Sequence, residues 1–263
     1  DIKKKLSKKI KAIMPVHYAG ASADMDSINK IAKSNNIFVI EDSAHALGSF
    51  DYKNNLIGTG ENLSCFSFDG IKNITSGEGG AIFTKNKALY EKVCDYRLLG
   101  VHKDTLKRYK NTRSWDFDVF EQGWRYHMSN INAAIGIEQL KRIEMFKKKR
   151  QSISRRYIRG LSGISEIKFL KIDYSKIMAH IFVIRVLDGS RDQLKSYLMK
   201  KNIETGIHWK PAHLLNKYKN NISLKNTELL YNEMISLPCH VDLSIRHIDY
   251  IIQEMKKFFL NKK

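Results

Sequence analysis

The chain has 263 residues, 43% of them hydrophobic, and a formal net charge of +19, which excludes a disordered chain and suffices for one large or two modest packed domains. It has no apolar run of membrane-spanning length and no signal peptide at its start, and Cys65, Cys94 and Cys239 are too widely spaced for a metal site or a disulfide framework. We therefore expect a cytoplasmic protein with no membrane partner and no metal.

Residues 1–11 are a basic lead-in, and residues 12–17 (AIMPVH) read as a strand that stops at polar and glycine residues. Residues 24–33 place Met25, Ile28, Ile31 and Ala32 at helical spacing, so with residues 37–40 they predict a parallel crossover of strand, helix and strand. Ile37-Phe38-Val39-Ile40 is continuously apolar, the pattern of a parallel strand buried on both faces, and it ends in Glu41-Asp42-Ser43-Ala44-His45. Polar residues at the carboxyl end of such a strand face the ligand crevice. Asp42 is thus placed either to hold a cation or to cap the segment that follows.

Residues 48–60 read as a loop-like insertion. Cys65-Phe66-Ser67-Phe68 is a short strand, followed by a polar turn carrying Lys72 and by Ser76-Gly77-Glu78-Gly79-Gly80, where glycines let the backbone bend and approach a ligand closely. A lysine between a strand end and a glycine-rich loop is partly desolvated, which favours the neutral amine that Schiff-base chemistry needs; the plain alternative is one more solvated surface lysine.

Residues 81–84 predict a strand and 87–97 a helix. Residues 102–122 are polar, aromatic and aperiodic, a long surface loop of the kind that carries function. Residues 129–158 read as mostly helical, with a Ser or Asn cap and small residues Ala133, Ala134 and Gly136 for close packing. A strand at 181–186, a helix at 191–201, a short strand at 203–207 and an amphipathic helix at 245–259 then make a small α/β domain. The expected division is 1–145 and 146–263.

The motif series Pro15-Val16-His17, Ala23-Asp24-Met25-Asp26, Val39 to His45, Cys65-Phe66-Ser67-Phe68, Lys72-Asn73 and Gly77-Glu78-Gly79-Gly80 resembles the DegT family of pyridoxal-phosphate-dependent nucleotide-sugar aminotransferases. The resemblance continues through Trp115-Asp116-Phe117-Asp118-Val119, Tyr126-His127-Met128-Ser129, Ala133-Ala134-Ile135-Gly136, His208-Trp209-Lys210-Pro211 and Ile235-Ser236-Leu237-Pro238, covering nearly the whole chain. It implies the α/β architecture of a fold type I, aspartate-aminotransferase-like enzyme, with a mostly parallel sheet in the large domain and a small C-terminal α/β domain. It also implies that relatives carry a further N-terminal segment with a phosphate-binding loop, so that this chain is a fragment or is completed by a second polypeptide.

The implied cofactor is pyridoxal 5'-phosphate. By resemblance Lys72 carries its aldehyde and shuttles the proton, Asp42 keeps its ring nitrogen protonated, His45 lies near its phenolic oxygen, and Ser67 gives a hydroxyl to its phosphate. His127 would reach the phosphate of the neighbouring subunit's cofactor. His17 and His208 are placed with the substrate, His208 together with Trp209 and His213, although His17 could be structural and Trp209 core. The implied partners are a nucleotide-sugar substrate, an amino-acid donor (glutamate) and a second copy in a homodimer with the active site at the subunit interface.

The positive charge has clusters at 3–11, 147–150 and 262–263; solvated helix faces account for it, and the field would also gather a doubly charged sugar nucleotide. Charge alone suggests a nucleic-acid-binding regulatory protein, but no nucleic-acid-binding motif supports one. A catalytically inactive remnant is the other alternative. A dehydratase of the same family would carry histidine at the lysine position, where this chain has Lys72.

Overall fold

A computed structural model describes residues 1–102, 110–112 and 117–262. The chain divides into two compact units, residues 1–18 with 22–143, and residues 144–263 with 19–21.

The first unit is built on a four-stranded sheet in the order β1 (Ala12–Ile13), β2 (Phe38–Asp42), β3 (Leu63–Ser67), β4 (Gly80–Phe83). The first three strands run parallel and β4 is antiparallel to β3. Helix α1 (Ile2–Lys5) precedes β1, and α2 (Met25–Ser34) makes the expected crossover. Asp24 caps α2 by accepting from the Ser27 N–H, and Ile28 and Ala32 pack on Val39 of β2.

Two expectations need correction here. The first strand is shorter than residues 12–17, because Pro15 has no N–H for a ladder; pairing resumes only where Val16 lies opposite Asp42. The apolar run of β2 is not covered on both faces either, since Val39 is buried while Phe38 is 77% exposed.

Helices α3 (Lys87–Tyr96) and α4 (Asn130–Lys141) complete this unit. Between them, Leu98 bridges Arg125 and Val101 bridges Val119. Trp115 and Asp116 of the family motif lie outside the described residues. The helix expected over 129–158 is two helices, α4 and α5 (Ile143–Leu161), because the backbone turns at Arg142 (φ −97°, ψ 2°).

The second unit holds an antiparallel sheet in the order β5 (Ile167–Phe169), β6 (Phe182–Val186), β7 (Met234–Leu237), with α6 (Arg191–Lys200), α7 (Lys225–Glu233) and α8 (Ile245–Leu260). Its core joins Tyr157 of α5, Phe182 and Ile184 of β6, Leu194 and Leu198 of α6, Ile235 of β7 and Met255 of α8, all fully buried. The Arg150 guanidinium is buried among backbone acceptors, donating to the carbonyls of Ala179, His180 and Cys239. Residues 203–207 do not form the expected strand: Gly206 alone bridges Ser236, through reciprocal backbone bonds of 3.0 and 2.8 Å.

Candidate active site

Register sets the site. Asp42 pairs with Cys65 and Glu41 with Ser64, so side-chain alternation turns Asp42, Cys65 and Ser67 to one face of the sheet, and Glu41 and Ser64 to the other. All lie at the carboxyl ends of parallel strands, where an α/β sheet opens toward ligands. One carboxylate oxygen of Asp42 accepts from the Ala44 N–H at 3.1 Å. The other has no hydrogen bond among the described residues. The Cys65 thiol is held protonated by its partial burial, with the nearby Asp42 charge adding to the effect.

Beyond β3 the chain turns on Asp69, whose carbonyl accepts from the Lys72 N–H at 3.0 Å. Lys72 is half-buried, and its amine makes no hydrogen bond or ion pair among the described residues. The neighbouring Asn73 is buried and donates to the Leu47 carbonyl at 3.3 Å, while the Ser43 N–H bonds the Cys65 carbonyl at 2.8 Å. These two bonds tie the lysine turn to the segment that carries Asp42 and His45.

The glycines close the turn. Phe68 and Ser76 are joined by a backbone bond of 2.9 Å, and the Ser76 hydroxyl donates to the Glu78 carbonyl. At Gly79, with φ +150°, a Cβ would lie 2.5 Å from the Met128 methyl and 2.8 Å from the Ser76 hydroxyl. Asn132 of α4 donates to the same Glu78 carbonyl at 2.9 Å, so the helix start is fastened to the loop.

The other sequence candidates are placed as follows. Ser67 is half-buried, and its hydroxyl accepts weakly from the Asp69 N–H at 3.4 Å. His45 is buried with its ring 6.2 Å from that of Tyr18, whose hydroxyl is pushed up to about 12 by burial. His127 is exposed, two residues before the α4 cap Ser129.

His17 is fully buried between Glu41 and the Ala23 N–H, with both ring nitrogens engaged inside the protein. That leaves no ring nitrogen for a substrate. In the second unit His208 bonds the Ser236 hydroxyl at 2.9 Å and lines a cavity of about 600 Å³ with His240, His247 and Tyr250. Trp209 is 54% exposed and so is not core, whereas His213 is buried against Glu228.

Sequence reading missed Glu41 as a structural acid and Asn73 as the tie between the two segments. Glu41 had a signal, since it falls two residues after Val39 and so on the same inward face of β2. Asn73 had none.

The family profile for the DegT/DnrJ/EryC1/StrS aminotransferases matches residues 1–256. The chain belongs to this family. It is 36% identical over 269 residues to the uncharacterized protein MJ1066 of Methanocaldococcus jannaschii, covering 98% of this chain and 69% of that one. Among solved structures it superposes on Helicobacter pylori PseC, an aminotransferase involved in the biosynthesis of pseudoaminic acid, with a TM-score of 0.90 and 30% identity, over 99% of this chain and 70% of that one. Spr1654 of Streptococcus pneumoniae, solved in a PLP-form, gives a TM-score of 0.86 at 28% identity, over 99% and 71% of the two chains.

The architecture is therefore fold type I α/β, and the enzyme class is pyridoxal-phosphate-dependent aminotransferase acting in sugar metabolism. The residues present fit the cofactor. Asp42 offers an open carboxylate oxygen on the same sheet face as the Ser67 hydroxyl, the Lys72 amine stands in the adjoining turn, and the buried Ser43 hydroxyl has no partner among the described residues. No helix among the described residues is long and apolar enough to cross a membrane.

Proposed function

We propose that this chain binds pyridoxal 5'-phosphate and transfers an amino group from glutamate to the keto group of a nucleotide-linked deoxysugar. The observation that supports the reading is that Asp42 and Ser67 share one sheet face at the strand ends, while the turn carrying Lys72 is tied to the Asp42 segment through Asn73 and Ser43. When bound, the cofactor supplies an electron sink that stabilises negative charge on the carbon losing its proton.

The chain's own residues do the rest. Lys72 Nζ would hold the cofactor through its aldehyde carbon and would serve as the base and acid that moves the proton of the donor's amino-bearing carbon. The Asp42 oxygen left open by Ala44 accepts from the ring N–H and keeps the proton there. Ser67 would donate to the phosphate, and His45 would serve the phenolic oxygen. His208 stands for the sugar side in the second unit, which we assign as the small domain, with the first unit holding the cofactor.

We assign the enzyme to the cytoplasm as a homodimer, with His127 reaching the phosphate in the partner's site. Its exposure supports that role, as does α4, in which no residue is buried although Ile131, Ile137 and Leu140 are apolar.

The test is direct. Adding pyridoxal phosphate to the purified chain should give a visible absorbance band, and borohydride should fix the cofactor's mass on the Lys72 peptide. Lys72→Ala should abolish both, and should lower turnover with glutamate and a panel of keto sugar nucleotides by more than about 10³-fold. Retained turnover in that variant would refute the assignment.

A further inference from the structure

On the face of β2 turned away from Asp42 lies a buried network that the chemistry above does not use. The Glu41 carboxylate meets His17 Nε2 at 2.9 Å through one oxygen and the Asn62 amide at 2.7 Å through the other. His17 Nδ1 accepts from the Ala23 N–H at 3.1 Å. A nitrogen that accepts a backbone N–H carries no proton itself, so the ring is neutral and its single proton sits on Nε2, donated to Glu41.

The same residue is also bound to Asp42 through the backbone. The His17 N–H bonds the Asp42 carbonyl at 3.0 Å, and the Asp42 N–H bonds the Pro15 carbonyl at 2.9 Å. Residues 15–17 thus grip Asp42 by both of its main-chain groups, while the imidazole grips the side chain one residue earlier. The grip has little other support, because β1 contributes a two-residue ladder and Pro15 has no N–H to give.

We propose that His17 and Glu41 form a buried latch that fixes where Asp42 presents its carboxylate, which makes His17 a positioning residue for the cofactor nitrogen. The use of Asp42 by the cofactor rests on the function proposed above; the latch does not. A hydrogen bond to a ring N–H weakens steeply with distance and angle, so freedom at the end of β2 would reach the ring directly.

Three variants and two readouts test this. His17→Ala removes the grip, His17→Gln keeps an amide N–H able to reach Glu41, and Asp42→Ala removes the group being positioned. In the protein without cofactor, amide exchange at Asp42 should accelerate at least about tenfold in His17→Ala and stay near wild type in His17→Gln, with the β4 amides of the same unit as the folding control.

With pyridoxal phosphate added, the affinity and absorbance maximum of the bound cofactor should change in Asp42→Ala and in His17→Ala, and return in His17→Gln. Unchanged exchange at Asp42 in His17→Ala, or equal damage in His17→Gln, would overturn the latch. Unchanged cofactor binding in Asp42→Ala would instead refute the ring-nitrogen assignment, with the exchange result still deciding the latch. If His17→Ala does not fold, two Glu41 variants decide. Glu41→Gln keeps an oxygen for His17 Nε2 whereas Glu41→Ala removes it, so faster Asp42 exchange in Glu41→Ala than in Glu41→Gln supports the latch and equal exchange in the two overturns it.

Discussion

A single carboxylate, Glu41, shows how burial and hydrogen bonding compete at one residue. Burial raises its proton affinity, but the hydrogen bonds from His17 and Asn62 outweigh that and hold it below its ordinary value of 4.5. A carboxyl group depressed in the folded state stabilises the fold above its unfolded value, and the contribution is lost as pH falls through the folded value. Urea midpoints measured from pH 6 down to pH 3 should therefore fall more steeply in the wild type than in Glu41→Gln. At pH 6 the variant should be weaker by about 1–3 kcal/mol, the cost of a buried polar group without its partner. Parallel pH curves for the two proteins would show that the Glu41 charge contributes nothing to folding.

Elements were legible in the sequence where a cap or a period marked them. The Met25, Ile28, Ile31 and Ala32 spacing foretold α2 to within a residue, and Ser129 foretold the start of α4. What was not legible depended on partners far along the chain. The break at Arg142 has neither Gly nor Pro to announce it. Residues 203–207 alternate like a strand, yet only Gly206 pairs, and a Cβ there would come within 2.3 Å of the His208 ring. At the site, Asp42, Ser67 and Lys72 could be picked out by type and position, but that Asp42 and Ser67 share one face required the β2 to β3 register.

Ser129→Ala removes the acceptor for the Asn132 N–H and should cost about 1 kcal/mol, read as a lower urea midpoint. Ile131→Glu places a charge among the exposed apolar residues of α4, and sedimentation velocity should report a monomer for it, against the dimer proposed for the wild type. A dimer that persists in Ile131→Glu would remove α4 from the interface.

Across the molecule, apolar burial is uneven while a net positive charge is common to both units. The second unit carries an extensive core, and among the described residues the first gathers Ile28, Ala32 and Val39 into a small buried cluster. The formal charge of +19 surrounds both units. Such a charge lowers the energy of an approaching anion over a Debye length of about 10 Å at 0.1 M salt, and raises its encounter rate correspondingly. A nucleotide sugar carries two phosphate charges and glutamate a single net charge, so the two substrates should respond differently to salt. Raising NaCl from about 0.02 to 0.5 M should lower kcat/KM for the nucleotide sugar by about tenfold, and for glutamate by much less, with kcat unchanged. Equal salt slopes for the two would mean that the positive field does not select the sugar nucleotide. In that case the lysines serve as solvated helix faces, and recognition of the phosphates falls to short-range contacts alone.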